Sequence, residues 1–302
     1  AKGISRLCGE SRSMIYTRQY SIHETASYIN WLYFFHAWGF PARYSSIAKV
    51  HGCVACRQNW LQAFPEEERE RAEQAMKLFD EAQQLLRQWD EAGYCTTFCL
   101  SLLDANSDGE DVILLESGQR IPFLRQQFSE AGKPCFCLAD FIRPLSSGIP
   151  DKIGVFASTV PSQIPIKGLE ESLVADRLAE ATAELGHLQT RREWWGYAPD
   201  EHLILEELFA EKYQGKRPAV GYPSLPDQSI CFLLSDLLDF PSLGISLTEN
   251  GAMIPHASTC GFMFSHPATC HFSVGKVGED QLHDYARRRG VEAESLRKFL
   301  KA

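Results

Sequence analysis

Residues 65–92 carry one apolar stripe that only a long helix can gather onto a single face. Ala72, Met76, Phe79, Ala82, Leu86 and Trp89 recur at intervals of three and four, the spacing of neighbours on a helix surface. Pro65 stands at its start, and Glu66, Glu67 and Glu68 fill the first turn, where negative charge suits the helix dipole; Gly93 ends it. Strands follow. Residues 94–103 are rich in aromatic and apolar side chains, Asp108-Gly109 is a hairpin signal, and 112–115, 118–124, 134–141 and 153–159 read as further short strands. A second long helix is expected over 169–192, with Leu173, Leu178, Ala181, Leu185 and Leu188 as its stripe. Asp200 is expected to cap a shorter helix through Phe209. Residues 227–238, 279–289 (closed by Gly290) and 293–300 also read as helical, with strands at 244–248 and 271–276 between them. Near the start, Ser21 with Glu24 forms a capping box for a first helix carrying Ile29, Leu32, Tyr33 and Trp38 to the stop at Gly39-Phe-Pro41. Strands and helices are grouped rather than alternating, which predicts an α+β fold and not a doubly wound parallel sheet. The expected organisation is an arm over residues 1–20 and one domain over 21–302, with the short stretch 161–168 as the best candidate seam.

Composition narrows the function. The chain of 302 residues has a formal net charge of -9, so whole-surface attraction to nucleic acid is not expected. Arg191-Arg192 and residues 287–289 are local basic clusters, read as solvated helix ends. No apolar run approaches the roughly 20 residues that span a bilayer, and the first fifteen residues lack a signal-peptide core. No membrane association is expected and the cytoplasm is the expected compartment. The 10 cysteines are spread through apolar stretches, as reduced, buried thiols would be.

Four motifs have residue types that could carry chemistry. Asp104-x-Asn106-x-Asp108-Gly109 begins like a calcium loop, but its twelfth position is Leu115 where a bidentate Glu is needed, so a hairpin is expected. His51-x-Cys53-x-x-Cys56 offers three ligands where structural zinc wants four, and no convincing second pair follows, so no metal site is expected. The stretch from Thr248 to Pro267 is dense in Gly, Pro and His yet carries Met253, Ile254, Phe262 and Phe264. It reads as a folded-in loop lining a cleft, as a face for an apolar partner, or as an irregular buried connection. In Arg217-Pro-Ala-Val-Gly-Tyr-Pro223, two prolines and a glycine fix a turning backbone, and Arg217 offers a planar fork suited to a carboxylate. Gly-rich nucleotide-binding fingerprints are absent from the sequence.

Several segments together resemble the activation domain of cobalamin-dependent methionine synthase. They are Asp176-Arg-Leu-Ala-Glu-Ala181, Trp195-Gly-Tyr-Ala-Pro-Asp200, Tyr213-Gln-Gly-Lys-Arg-Pro-Ala-Val-Gly-Tyr-Pro223, Phe264-Ser-His-Pro267 and Asp284-Tyr-Ala-Arg287, with Tyr28-Ile-Asn-Trp31 and Leu138-Ala-Asp-Phe141 in the N-terminal half. The likeness covers about 21–300. It implies a single α+β domain built on a twisted antiparallel sheet flanked by helices, binding S-adenosylmethionine and supporting reductive re-methylation of cob(II)alamin. The partners implied are the cobalamin-binding module of methionine synthase and flavodoxin or another reductase. Since the chain has no Asp-x-His-x-x-Gly segment to hold cobalamin, it is expected to act on a corrin carried by another protein. The alternative expectation is an S-adenosylmethionine-sensing or structural subunit without methyl transfer of its own.

The resemblance also implies site residues. Arg217 would hold the ligand's carboxylate, the backbone at Ala219 and Gly221 its adenine side, and Glu180 would add a polar contact. Tyr222 would lie near the transferred methyl group and the corrin, the catalytic position. Three places depart from the family pattern. Asn30 stands where the family has Asp, so the contact to the ligand's amino group loses its charge, at a cost of about 1–2 kcal/mol. His271 replaces a Tyr, and Leu225-Pro-Asp-Gln228 replaces a Cys-Pro-x-His segment.

Overall fold

The computed structural model describes residues 4–6, 14–129 and 132–300. Its centre is a curled, wholly antiparallel sheet of seven strands. In chain order these are β1 (Ile4–Arg6), β2 (Met14–Ser21), β3 (Cys95–Asp108), β4 (Asp111–Leu114), β5 (Arg120–Pro122) and β6 (Asp151–Thr159), with β7 (Ser246–Leu247) and β8 (Met253–Ile254) set apart as a separate ribbon before β9 (Ser258–Met263) completes the main sheet. The 14 residues of β3 let it pair along its length with β2, β6 and β4. The strand period of two divides its side chains. Phe98, Leu100 and Leu102 enter one core, while Cys99 enters the other with Val155 and Phe262.

Each face of the sheet is covered by a helix. The helices are α1 (Ile22–Ala26), α2 (Trp31–Ala37), α3 (Val54–Gln62), α4 (Glu66–Glu91), α5 (Leu169–Gln189), α6 (Leu205–Phe209), α7 (Ile230–Leu238), α8 (Glu279–Arg289) and α9 (Ala293–Arg297). Helix α5 lies on the Phe98 face. At Gly186 it approaches so closely that an added Cβ would sit 2.4 Å from a Phe98 ring carbon. Helix α7 covers the opposite face with Ile230, Cys231, Leu234 and Leu238. The stripe of α4 is buried at Ala72, Ala82, Leu86 and Trp89, and it packs with α1, α2 and the first half of α5 as a helical cap.

Several expectations change. Of the expected arm, residues 1–3 and 7–13 lie outside the described residues, but Met14–Ser21 is a full sheet strand, paired from Met14 to Leu102 and from Ser21 to Cys95. The capping box at Ser21 and Glu24 forms, yet its helix ends at Ala26, and Asn30 caps a separate one. Residues 138–141 form a 3-10 turn instead of a strand, and Asp200 precedes the start of α6 at Leu205. No strand forms at 271–276. Strand β9 runs through the stretch read as a loop, where Phe262 and Phe264 are core residues while Ile254 is exposed.

The basic clusters are solvated ends only at Arg192 and Arg287. Arg191 is 0% exposed and grips Glu201 through Nε to Oε2 at 2.8 Å and Nη2 to Oε1 at 2.7 Å. Its guanidinium also stacks 3.9 Å from the Tyr213 ring centre. Arg288 bonds to Asp111 at 2.7 Å and Arg289 to the buried Asp227 at 3.2 Å, tying α8 to the rest of the domain, while Arg287 stays exposed. Among the described residues, no helix is long and apolar enough to cross a membrane.

Candidate functional site

The motif around Arg217 is held as an irregular extra edge beside β9. The Lys216 and Phe264 backbones exchange hydrogen bonds at 3.0 and 2.9 Å, Phe262 N–H donates to the Pro218 carbonyl at 3.1 Å, and Val220 N–H to the Cys260 carbonyl at 2.9 Å. Pro218 has no N–H to lose at such a position. The approach is possible only because residue 261 is glycine: a Cβ there would stand 2.2 Å from the Pro218 oxygen. Gly221 then turns the chain with φ of 90°, a conformation that favours glycine. Its N–H donates to the Leu225 carbonyl, and the Ala219 carbonyl accepts from Tyr222.

This turn forms one wall of a cleft of 490 Å³. Helix α5 forms another, presenting Arg177, Glu180, Ala181 and Glu184, which share one helical face. Asn30, Arg217, Tyr222 and His271 also line it, so five of the seven residues singled out by the resemblance converge there. Ala219 and Gly221 sit behind Tyr222 in the turn. Three acidic side chains (Glu180, Glu184, Glu211) and three basic ones (Arg177, Lys216, Arg217) line the cleft together. Such a balance suits a zwitterion better than a simple anion or cation.

Arg217 is the anchor. Its side chain is 14% exposed and donates through Nη2 to Glu184 Oε2 at 2.8 Å, with Glu180 3.8 Å from Nη1. Burial works against its charge, but Glu184 and the other anionic neighbours outweigh it and raise its already high pKa, so the guanidinium is fixed as a cation. Two buried polar atoms here lack a hydrogen-bond partner among the described residues: Arg217 Nε and Glu184 Oε1. Orphaned buried donors and acceptors cost about 1–3 kcal/mol each, and a ligand bearing both a carboxylate and an ammonium group would satisfy them. The donor set therefore fits an amino-acid-bearing ligand.

The remaining residues shape the rim. Tyr222 is 39% exposed, but its hydroxyl turns onto Glu180 Oε1 at 3.2 Å. Burial and the neighbouring carboxylate raise that hydroxyl's pKa, so Tyr222 is neutral and a hydrogen-bond donor. Asn30 Oδ1 accepts from Leu32 N–H at 3.2 Å; the acceptor expected to face the ligand also caps α2. His271 Nε2 lies 2.5 Å from Glu211 Oε2, which also pairs with Lys216 at 3.4 Å. Burial raises the Glu211 carboxyl, yet His271 and Lys216 together hold it below the usual carboxylate range. Gln228 does not line the cleft; it donates to the Gly251 carbonyl at 2.9 Å.

Glu184, Glu211 and Lys216 were not anticipated from the sequence. Glu184 had a signal: it lies one turn beyond Glu180 and three residues before His187, on an otherwise Ala- and Leu-rich helix. Glu211 had none, because it reaches the site from a turn with φ of 52°. Tyr213 also lines the cleft and is packed edge-on against His187 with ring centres 5.1 Å apart. Burial, reinforced by Arg191, drives the His187 pKa well down, so this imidazole stays neutral.

The fold and the motif agree with what known proteins show. The sequence profile described as "Vitamin B12 dependent methionine synthase, activation domain" matches residues 21–290. The solved MetH reactivation domain bound to AdoHcy superimposes with a TM-score of 0.81 at 32% identity, covering 95% of this chain and 89% of that one. With its antiparallel sheet, its Arg217–Pro223 turn and a match over nearly its whole length, this chain belongs to the family of vitamin B12-dependent methionine synthase activation domains.

Proposed function

We propose that the cleft binds S-adenosylmethionine and that the domain serves the reductive re-methylation of a cobalamin carried by the corrin-binding module of a methionine synthase. The observation that carries this reading is Arg217, a buried cation whose Nε has no partner, beside an equally unpartnered Glu184 oxygen. A similar domain was solved with AdoHcy, which is S-adenosylmethionine without its transferable methyl group. When bound, S-adenosylmethionine supplies an electrophilic methyl group on a positively charged sulfonium.

The protein's own groups would act by position and charge. Arg217 would take the carboxylate through Nε, the guanidinium nitrogen without a partner. Glu180 and Glu184 would face the positive charges of the ligand. Asn30 would meet the amino group with the lone pair that α2 leaves over, and the backbone at Ala219 and Gly221 would border the adenine. Tyr222, at the mouth, would stand nearest the methyl group and the incoming corrin, with His271 and Glu211 on the opposite rim. Flavodoxin or another cytoplasmic reductase would supply the electron that prepares the cobalamin to accept the methyl group.

The test combines this protein with a cobalamin-loaded synthase lacking its own activation domain, a chemical reductant and S-adenosylmethionine. The visible spectrum then follows conversion of cob(II)alamin to methylcobalamin. The expected result is conversion that depends on this protein. Equal conversion without it would overturn the reading. Ligand binding without conversion would instead favour a sensing or structural subunit.

A further inference from the structure

Outside the cleft, His51, Cys53 and Cys56 bring one ligand atom each to within 4.8 Å of one another, the only such cluster of three His, Cys, Asp or Glu groups among the described residues. The backbone builds this arrangement. Residues 51–53 lead into α3, and Cys53 is its N-cap, with φ of -72° and ψ of 151°. The Cys53 Sγ accepts the Cys56 N–H at 3.4 Å, and the Cys53 N–H donates to His51 Nδ1 at 3.3 Å. An amide N–H aimed at a sulfur stabilises its thiolate, and so does the positive end of a helix.

None of the three side chains has work in the core. His51 and Cys53 are exposed and Cys56 is half-buried, and α3 itself buries no residue. All three therefore remain open to a ligand from solvent. Two sulfurs and an imidazole nitrogen are soft to borderline donors, which select against magnesium and calcium. Two Cys and one His with a fourth position left open is a recognised zinc arrangement.

We propose that His51, Cys53 and Cys56 bind one metal ion of the zinc class, with its fourth position open to water or to a ligand from a docking protein. Both cysteines must give up their protons to bind as thiolates, so metal entry releases protons. With three protein ligands, affinity is expected to be weaker than at a closed four-ligand site.

The test uses the whole protein, kept reduced with a phosphine, and titrates it with cobalt(II) as a spectroscopic stand-in, then with zinc in competition. Sulfur-to-cobalt charge-transfer absorption should saturate at one equivalent and vanish on adding zinc. Cys53→Ser and Cys56→Ser should each abolish it and His51→Ala should weaken it, with thermal unfolding and S-adenosylmethionine binding unchanged in the metal-free variants. Affinity should fall as the pH is lowered, because protons compete with the metal for the thiolates and the imidazole. The proposal is overturned if no charge-transfer band appears. It is equally overturned if the band survives in Cys53→Ser and Cys56→Ser, which would move the ligation to another thiol, such as Cys95, Cys135 or Cys270, the other partly exposed ones among the described residues.

Discussion

At the scale of single residues, the cleft is a study in charges that cannot be removed one at a time. Arg217 and Glu184 are both largely buried and paired at 2.8 Å. Deleting the arginine would strand a buried carboxylate, which typically costs about 3–5 kcal/mol, so Arg217→Ala would mix loss of fold with loss of ligand. Arg217→Lys is the cleaner change: it keeps the charge and loses the fork. Asn30 permits a gain instead. Its Oδ1 caps α2, and an aspartate would cap as well while adding negative charge at a helix N-terminus. Asn30→Asp should tighten S-adenosylmethionine binding by about 1 kcal/mol, roughly fivefold, and leave the unfolding temperature equal or slightly higher. Titration calorimetry beside thermal unfolding checks this; unchanged or weaker binding would remove Asn30 from the ligand's surroundings.

At the scale of elements, the site depends on how closely the Arg217–Pro223 turn can lie against β9. Gly261 sets that distance, since a Cβ would sit 2.2 Å from the Pro218 oxygen and 2.7 Å from Ala219 Cα. Gly261→Ala should therefore destabilise the domain by about 1–3 kcal/mol through overpacking and weaken ligand binding by shifting Arg217. A lowered unfolding temperature with unaltered affinity would show that the turn is held elsewhere. The same closeness explains why β9 was hard to read from sequence. Gly261 is small because the neighbouring backbone leaves no room, and with Ser258 and Cys260 beside it the stretch 258–261 carries little strand signal. Strand β2 was missed for another reason. Its partner β3 lies some eighty residues away, and its mix of Tyr16, Arg18 and Gln19 has no clean alternation. Elements that depend on local signals were legible: the α4 stripe, the Asp108-Gly109 hairpin and α8 with Gly290 as its stop.

At the scale of the whole molecule, the cleft lies where the helical cap meets the sheet, and its walls come from α2, α5, the Arg217 turn and the segment around His271. Such a site closes only when distant parts of the chain are folded together. The resemblance found its members because motifs could be matched one by one. It could not find Glu184 or Glu211, whose roles follow from three-dimensional pairing with Arg217 and His271. It also could not show that Arg191 is internal, because a pair of arginines at a helix end looks solvated until Glu201 and Tyr213 are seen to enclose one of them. The central claim is that this junction binds S-adenosylmethionine through the buried guanidinium of Arg217. Calorimetric titration of S-adenosylmethionine into the wild-type protein and into Arg217→Lys tests it most directly. The account predicts single-site binding to the wild type and about tenfold weaker binding to the variant, with both proteins folded. No binding by the folded wild type at millimolar ligand, or equal affinity in the two proteins, would contradict it.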